Sequence, residues 1–129
     1  MPSVRIRLLL AAALIIMPLA QSCRSHNAYE VDPTQPDMVI LQVRNDNFLD
    51  MDIYALSSGL PTRIGTVTGL SSARFALSSS LYGSSDFRII ATPVGGNGRA
   101  SSGPLVLRGG QVVEFNIGTR LAQTTTFVR

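Results

Sequence analysis

Residues 111–117 read Gln111-Val112-Val113-Glu114-Phe115-Asn116-Ile117. Val113, Phe115 and Ile117 fall on one side of an extended chain, and Glu114 and Asn116 on the other. Successive side chains of a strand point to opposite faces, so this alternation marks a strand with one face buried and one wet. The same period of two recurs in both directions from here. Val39, Leu41 and Val43 oppose Gln42 and Arg44; Met51, Ile53 and Ala55 oppose Asp52 and Tyr54. Ala73, Phe75 and Leu77 flank Arg74, and Phe87, Ile89 and Ala91 oppose Arg88 and Thr92. Residues 63–68 and 104–108 are weaker strand candidates, and Thr124 to Val128 closes the set. No window after residue 23 repeats with the 3.6 period of a helix.

Turn residues separate these runs: Asn45-Asp46-Asn47, Ser58-Gly59, Gly69, Tyr82-Gly83-Ser84, Gly95-Gly96-Asn97-Gly98 and Gly109-Gly110. Seven or eight short strands at such spacing predict an all-β fold, an antiparallel sandwich or barrel, over residues 37–129. In strand count and spacing the region resembles the immunoglobulin-like and transthyretin-like sandwiches of bacterial envelopes. No signature residue supports more than the architecture, because the Cys…Trp…Cys pattern of true immunoglobulin domains is absent.

The chain has 129 residues, room for one domain. Charged residues are 15% of it and hydrophobic ones 45%, but much of the apolar excess lies in the first twenty positions. All eleven basic residues are Arg, two of them Arg5 and Arg7. From Cys23 onward nine Arg face eight carboxylates, a net charge of +1. These arginines are scattered singly, so no cluster exists to neutralise a row of phosphates, and nucleic-acid binding is not expected.

Residues 1–22 have the three parts of a secretory signal. Arg5 and Arg7 form its positive end. Leu8 to Ala20, LLLAAALIIMPLA, is an uncharged run of thirteen residues. That is too short to cross a bilayer as a helix, which takes about 20 apolar residues. Cys23 follows Gln21-Ser22 and is the only cysteine. Leu19-Ala20-Gln21-Ser22-Cys23 resembles the lipobox of bacterial lipoproteins, with Leu19 one step earlier than the family's usual position. The resemblance implies cleavage between Ser22 and Cys23 and a diacylglycerol on the Cys23 sulfur. Ala20-x-Ser22 also fits an ordinary signal peptidase cutting at the same bond. Arg24, where some inner-membrane lipoproteins carry Asp, implies by the same resemblance the outer membrane. A lone cysteine leaves no disulfide to offset a small core.

Residues 23–36 are polar, carry Pro33 and Pro36, and show neither period; they read as the lipidated cysteine and a tether. His26, the single histidine, lies in it and reads as solvated.

Little of the chain suggests chemistry. Asn45 to Asp52 gathers Asp46, Asp50 and Asp52 with two amides, oxygen ligands of the kind calcium takes. Counted from Asp46, however, the sixth and twelfth positions of an EF-hand loop hold Met51 and Ser57 instead of Gly and Glu. A hairpin turn whose Asn and Asp satisfy local backbone groups accounts for the pattern. Asp50 and Asp52 also share one face of a strand, as a carboxylate pair for acid/base work would, or as a solvated outer face would. The serines have no base within reach and no GxSxG elbow, and no Cys/His set offers a metal site. Gly95 to Gly98 lacks the spacing of a phosphate loop.

The expectation is therefore a lipid-anchored binding or structural module of the cell envelope, without catalytic residues or cofactor. It would contact the membrane through Cys23 and an envelope partner through loops 45–50, 78–86 and 95–103. The alternatives are a subunit pairing through a strand edge, and an envelope enzyme using Asp46, Asp50 and Asp52.

Overall fold

A computed structural model of the chain describes residues 37–129. The leader 1–22, Cys23 and the tether to residue 36 lie outside the described residues. Eight strands run through the domain: β1 Val39–Asn45, β2 Met51–Ser57, β3 Leu60–Val67, β4 Ser71–Leu77, β5 Arg88–Pro93, β6 Ala100–Ser101, β7 Val112–Ile117 and β8 Thr125–Val128. They form two four-stranded sheets, β4-β1-β7-β8 and β3-β2-β5-β6. The expected all-β sandwich is the fold. Its strand order differs from the ABED and CFG sheets of an immunoglobulin constant domain.

Strands β1, β2, β5 and β7 turn their apolar alternate residues inward. Val39, Leu41 and Val43 of β1, Met51, Ile53 and Ala55 of β2, and Val113, Phe115 and Ile117 of β7 are all fully buried. Ile89 and Ala91 of β5 join them, with Phe87 just before that strand. Two inner faces interdigitating in this way make a core about 10 Å thick. Each large side chain removed from water contributes about 1.5–3 kcal/mol. Of the expected inward set only Ala73, near one end of edge strand β4, is partly exposed.

Every pairing is antiparallel except β1 with β7. The parallel pair follows from the path. The chain enters at one pole, where the Tyr82 hydroxyl donates to the Asp37 carbonyl (2.6 Å), and runs up β1. After β2 and β3 in the other sheet, β4 in its own, and β5 and β6 in the other again, it returns to that pole, where Gly110 N–H donates to the Met38 carbonyl (2.9 Å). It then runs up β7 beside β1.

One edge is blunted locally. Edge strand β3 has Pro61 and a bulge where Ile53 and Tyr54 of β2 pair with Gly65 and Arg63, so Ile64 is the extra residue. Both features discourage further pairing. A Cβ on Gly65 would lie 2.7 Å from the Phe75 ring, so glycine there lets Phe75 of β4 cover β3 and close that side of the sandwich.

Three sequence expectations change. Residues 45–50 are not a hairpin: β1 pairs with β4 and β7, and the loop carries the chain across to the other sheet. Residues 104–108 form no strand. Pro104 has no N–H to give a ladder, and Gly103 turns the chain at φ +74°. Partner strand β6 is instead the two residues Ala100–Ser101, although Leu107 still points into the core. Loop 78–86 contains a single helical turn, α1 Ser79–Tyr82. Among the described residues no helix is long and apolar enough to cross a membrane.

Candidate functional site

The candidate contact loops segregate between the two poles. Loop 78–86 sits where the chain enters, with the Ser57 and Ser84 hydroxyls bonded at 2.9 Å and Ser58 N–H donating to Asp86 Oδ1 (3.0 Å). The Ser58 hydrogen bond holds the Asp86 carboxyl below its usual range. Loops 45–50 and 95–99 meet at the opposite pole, where the turns 68–70 and 118–121 join them. Val94 N–H donates to the Asp50 carbonyl (2.8 Å) and Leu70 N–H to the Asn47 carbonyl (3.0 Å). Asn47 Nδ2 donates to the Thr119 carbonyl (2.9 Å).

Asn45 organises this pole. It continues the inward series Val39, Leu41, Val43 and is itself buried at the end of β1. Its Nδ2 donates to the carbonyls of Leu49, Val67 and Thr68 (2.9, 3.2 and 3.1 Å), and its Oδ1 accepts from Asn47 N–H (3.0 Å). One amide thus ties the inter-sheet crossing 46–50 to the crossing between β3 and β4. Asn47 repeats the local motif, with Leu49 N–H donating to its Oδ1 (3.0 Å). The two asparagines of this loop serve the backbone, as the turn reading expected of them.

The three carboxylates are engaged separately. Asp46 pairs with Arg44 (2.9 Å). Asp50 Oδ1 accepts from Gly69 N–H (2.9 Å). Asp52, on the outer face of β2, accepts from the Thr66 hydroxyl (2.5 Å) and from Arg63 (2.8 Å). The Thr66 hydrogen bond, aided by the Arg63 guanidinium, lowers the Asp52 carboxyl below its usual value. No three His, Cys, Asp or Glu side chains converge as a metal set among the described residues.

Phe48, Leu49, Leu70 and Val94 stand out of this polar scaffold, exposed by 79%, 47%, 63% and 51%. They come from three loops that the hydrogen bonds above bring to one pole. Leu70 also has a left-handed backbone (φ +56°), which is strained for a bulky residue. Preceding it, Gly69 is obligatory, because a Cβ there would lie 2.2 Å from the Phe48 carbonyl oxygen. Sequence reading singled out loop 45–50 but missed Leu70 and Val94, each a lone apolar residue in a turn. Their clustering depends on which turns share a pole.

A second, polar candidate lies on the outer face of sheet β4-β1-β7-β8. Gln42, Arg44, Ser72, Arg74, Glu114 and Asn116 line an open depression of about 300 Å³. Arg129 closes its neighbourhood by pairing with Glu114.

The chain matches no protein-family model and no curated protein. A solved structure, the NMR structure of a protein from Eubacterium rectale, aligns with 77% of this chain and 94% of its own. The TM-score is 0.45 and the sequence identity 14%.

Proposed function

We propose that the chain is an exported protein, held to lipid through Cys23, whose β-sandwich serves as a binding or structural module of the cell envelope. One observation carries the binding reading. The chain enters the sandwich at one pole, while the opposite pole gathers four exposed apolar side chains on loops tied together through Asn45. A domain tethered at one end and apolar at the other suits contact with something beyond the tether. The separate engagement of Asp46, Asp50 and Asp52 favours this reading over an enzyme built on those acids.

Intact-mass analysis of the membrane-extracted protein tests the anchor. The expected result is a chain beginning at Cys23 with a diacylglycerol increment, and a Cys23→Ala variant released from the membrane fraction. A native chain of unmodified mass would refute it.

The alternative, a subunit pairing through a strand edge, draws support from β8. Arg129 and Val112 exchange both backbone hydrogen bonds (2.8 and 3.0 Å), so by alternation the backbone groups of Thr126 and Val128 face away from β7. Phe127 is exposed beside them. A solution mass of the detergent-extracted protein equal to one chain would exclude this alternative.

A further inference from the structure

We infer that the apolar pole formed by Phe48, Leu49, Leu70 and Val94 is a membrane-contact surface that docks on an anionic lipid bilayer. The inference rests on the proposed lipid anchor only for bringing the domain to a membrane.

Three features suit a bilayer. The first is extent. The four side chains expose on the order of 400 Å² of apolar surface between them, within the range of the largest, often functional, patches on a monomer. A bilayer interface needs only a few apolar groups at shallow depth, and aromatic side chains are favoured there.

The second is form. The residues stand on three loops, with Phe48 the most exposed at 79%. Leu70 is held outward by a left-handed backbone that costs free energy. Projecting tips penetrate a soft interface, whereas a rigid protein partner would have to supply a matching hollow for each.

The third is charge. Arg120 adjoins Leu121, whose Cδ1 is 3.2 Å from the Cβ position of Gly98, and Arg99 follows Gly98. Arg99 and Arg120 are exposed and have no carboxylate partner among the described residues. Of the acids at this pole, Asp46 is paired with Arg44, while Asp50 accepts from Gly69 N–H and keeps its charge. Two unpaired guanidiniums against one unpaired carboxylate leave the rim weakly cationic, and basic groups near an anionic surface add attraction that falls with salt.

Geometry allows the contact on the anchoring membrane itself. Seven residues of β1 separate the poles by about 23 Å. The fourteen residues 23–36 span at most about 45–50 Å, enough for the domain to turn its far pole to the bilayer that holds Cys23.

The test uses residues 37–129, which contain all the described strands and the core they enclose and carry no cysteine. Binding is measured by co-sedimentation with vesicles of phosphatidylcholine alone or with phosphatidylglycerol. The domain is expected to bind the anionic vesicles, with Phe48→Ser/Leu49→Ser lowering the partition coefficient at least tenfold. Arg99→Glu/Arg120→Glu should lower it several-fold on anionic vesicles only. Leu60→Ser, at the opposite pole and 71% exposed, should leave it unchanged. Urea midpoints of all variants should match the parent, since the replaced side chains are outside the core.

Absence of binding to either vesicle, or equal loss with Leu60→Ser, would overturn the inference. So would Phe48-dependent binding of an envelope protein without vesicle binding. Because these chains lack Cys23, failure here leaves the anchor untouched, and the mass measurement judges the anchor alone.

Discussion

Replacing Asn45 tests whether one buried amide holds the far pole together. In Asn45→Ala the Val67 carbonyl, its hydrogen bond fully buried, loses this donor, and the partly buried Leu49 and Thr68 carbonyls and Asn47 N–H lose theirs. An orphaned buried group costs about 1–3 kcal/mol, and a hydrogen bond whose partner can reach water about 0.5–1 kcal/mol. The two Nδ2 hydrogens are shared among three carbonyls, so these costs are not fully additive, and the expected loss is about 2–4 kcal/mol. A domain of this size has little more than ~5 kcal/mol of stability. With a urea m-value of about 1–1.5 kcal/mol/M, the midpoint followed by far-ultraviolet circular dichroism should fall by about 2 M. Asn45→Asp keeps the shape but turns a carboxylate toward three carbonyls, so it should cost more than Ala. Asn47→Ala, whose side-chain bonds are exposed, should cost under about 1 kcal/mol. Asn45→Ala and Asn47→Ala with equal midpoints would refute the assignment of Asn45 as the tie between the two crossings.

Two further expectations concern the sheets. Phe75→Ala and Phe115→Ala, both buried, should each cost about 3–5 kcal/mol, whereas Arg74→Ala on the wet face should cost under about 1 kcal/mol; equal urea midpoints for Phe75→Ala and Arg74→Ala would mean the β4 register is wrong. Asp52, held below its usual range chiefly by the Thr66 hydroxyl, binds fewer protons folded than unfolded, so its contribution is present above the unfolded carboxyl value of ~3.9 and disappears as pH falls through the folded one. Thermal melts below pH 4 should therefore show a shallower acid decline for Asp52→Asn than for the parent, and identical declines would contradict that linkage.

The sequence by itself determined the strands that alternate clearly, and their faces. Period-two alternation is a local consequence of backbone geometry, so Val39-Leu41-Val43 or Val113-Phe115-Ile117 announces a half-buried strand without knowledge of its partners. A missing donor at Pro104 was equally local, though its effect on the 104–108 strand became visible only beside Phe87, whose carbonyl takes the Leu105 N–H at 2.8 Å. Tertiary structure alone decided pairing and neighbourhood. Asn45 sits among turn-forming residues in sequence; alternation along β1 points its amide inward, but only the packing of the second sheet against β1 brings the carbonyls of Val67 and Thr68 within its reach. Phe48, Leu49, Leu70 and Val94 are up to 46 positions apart in the chain. What joins them is the pair of crossings between sheets, because a strand's direction fixes the pole at which each turn emerges, and that direction depends on long-range hydrogen bonding.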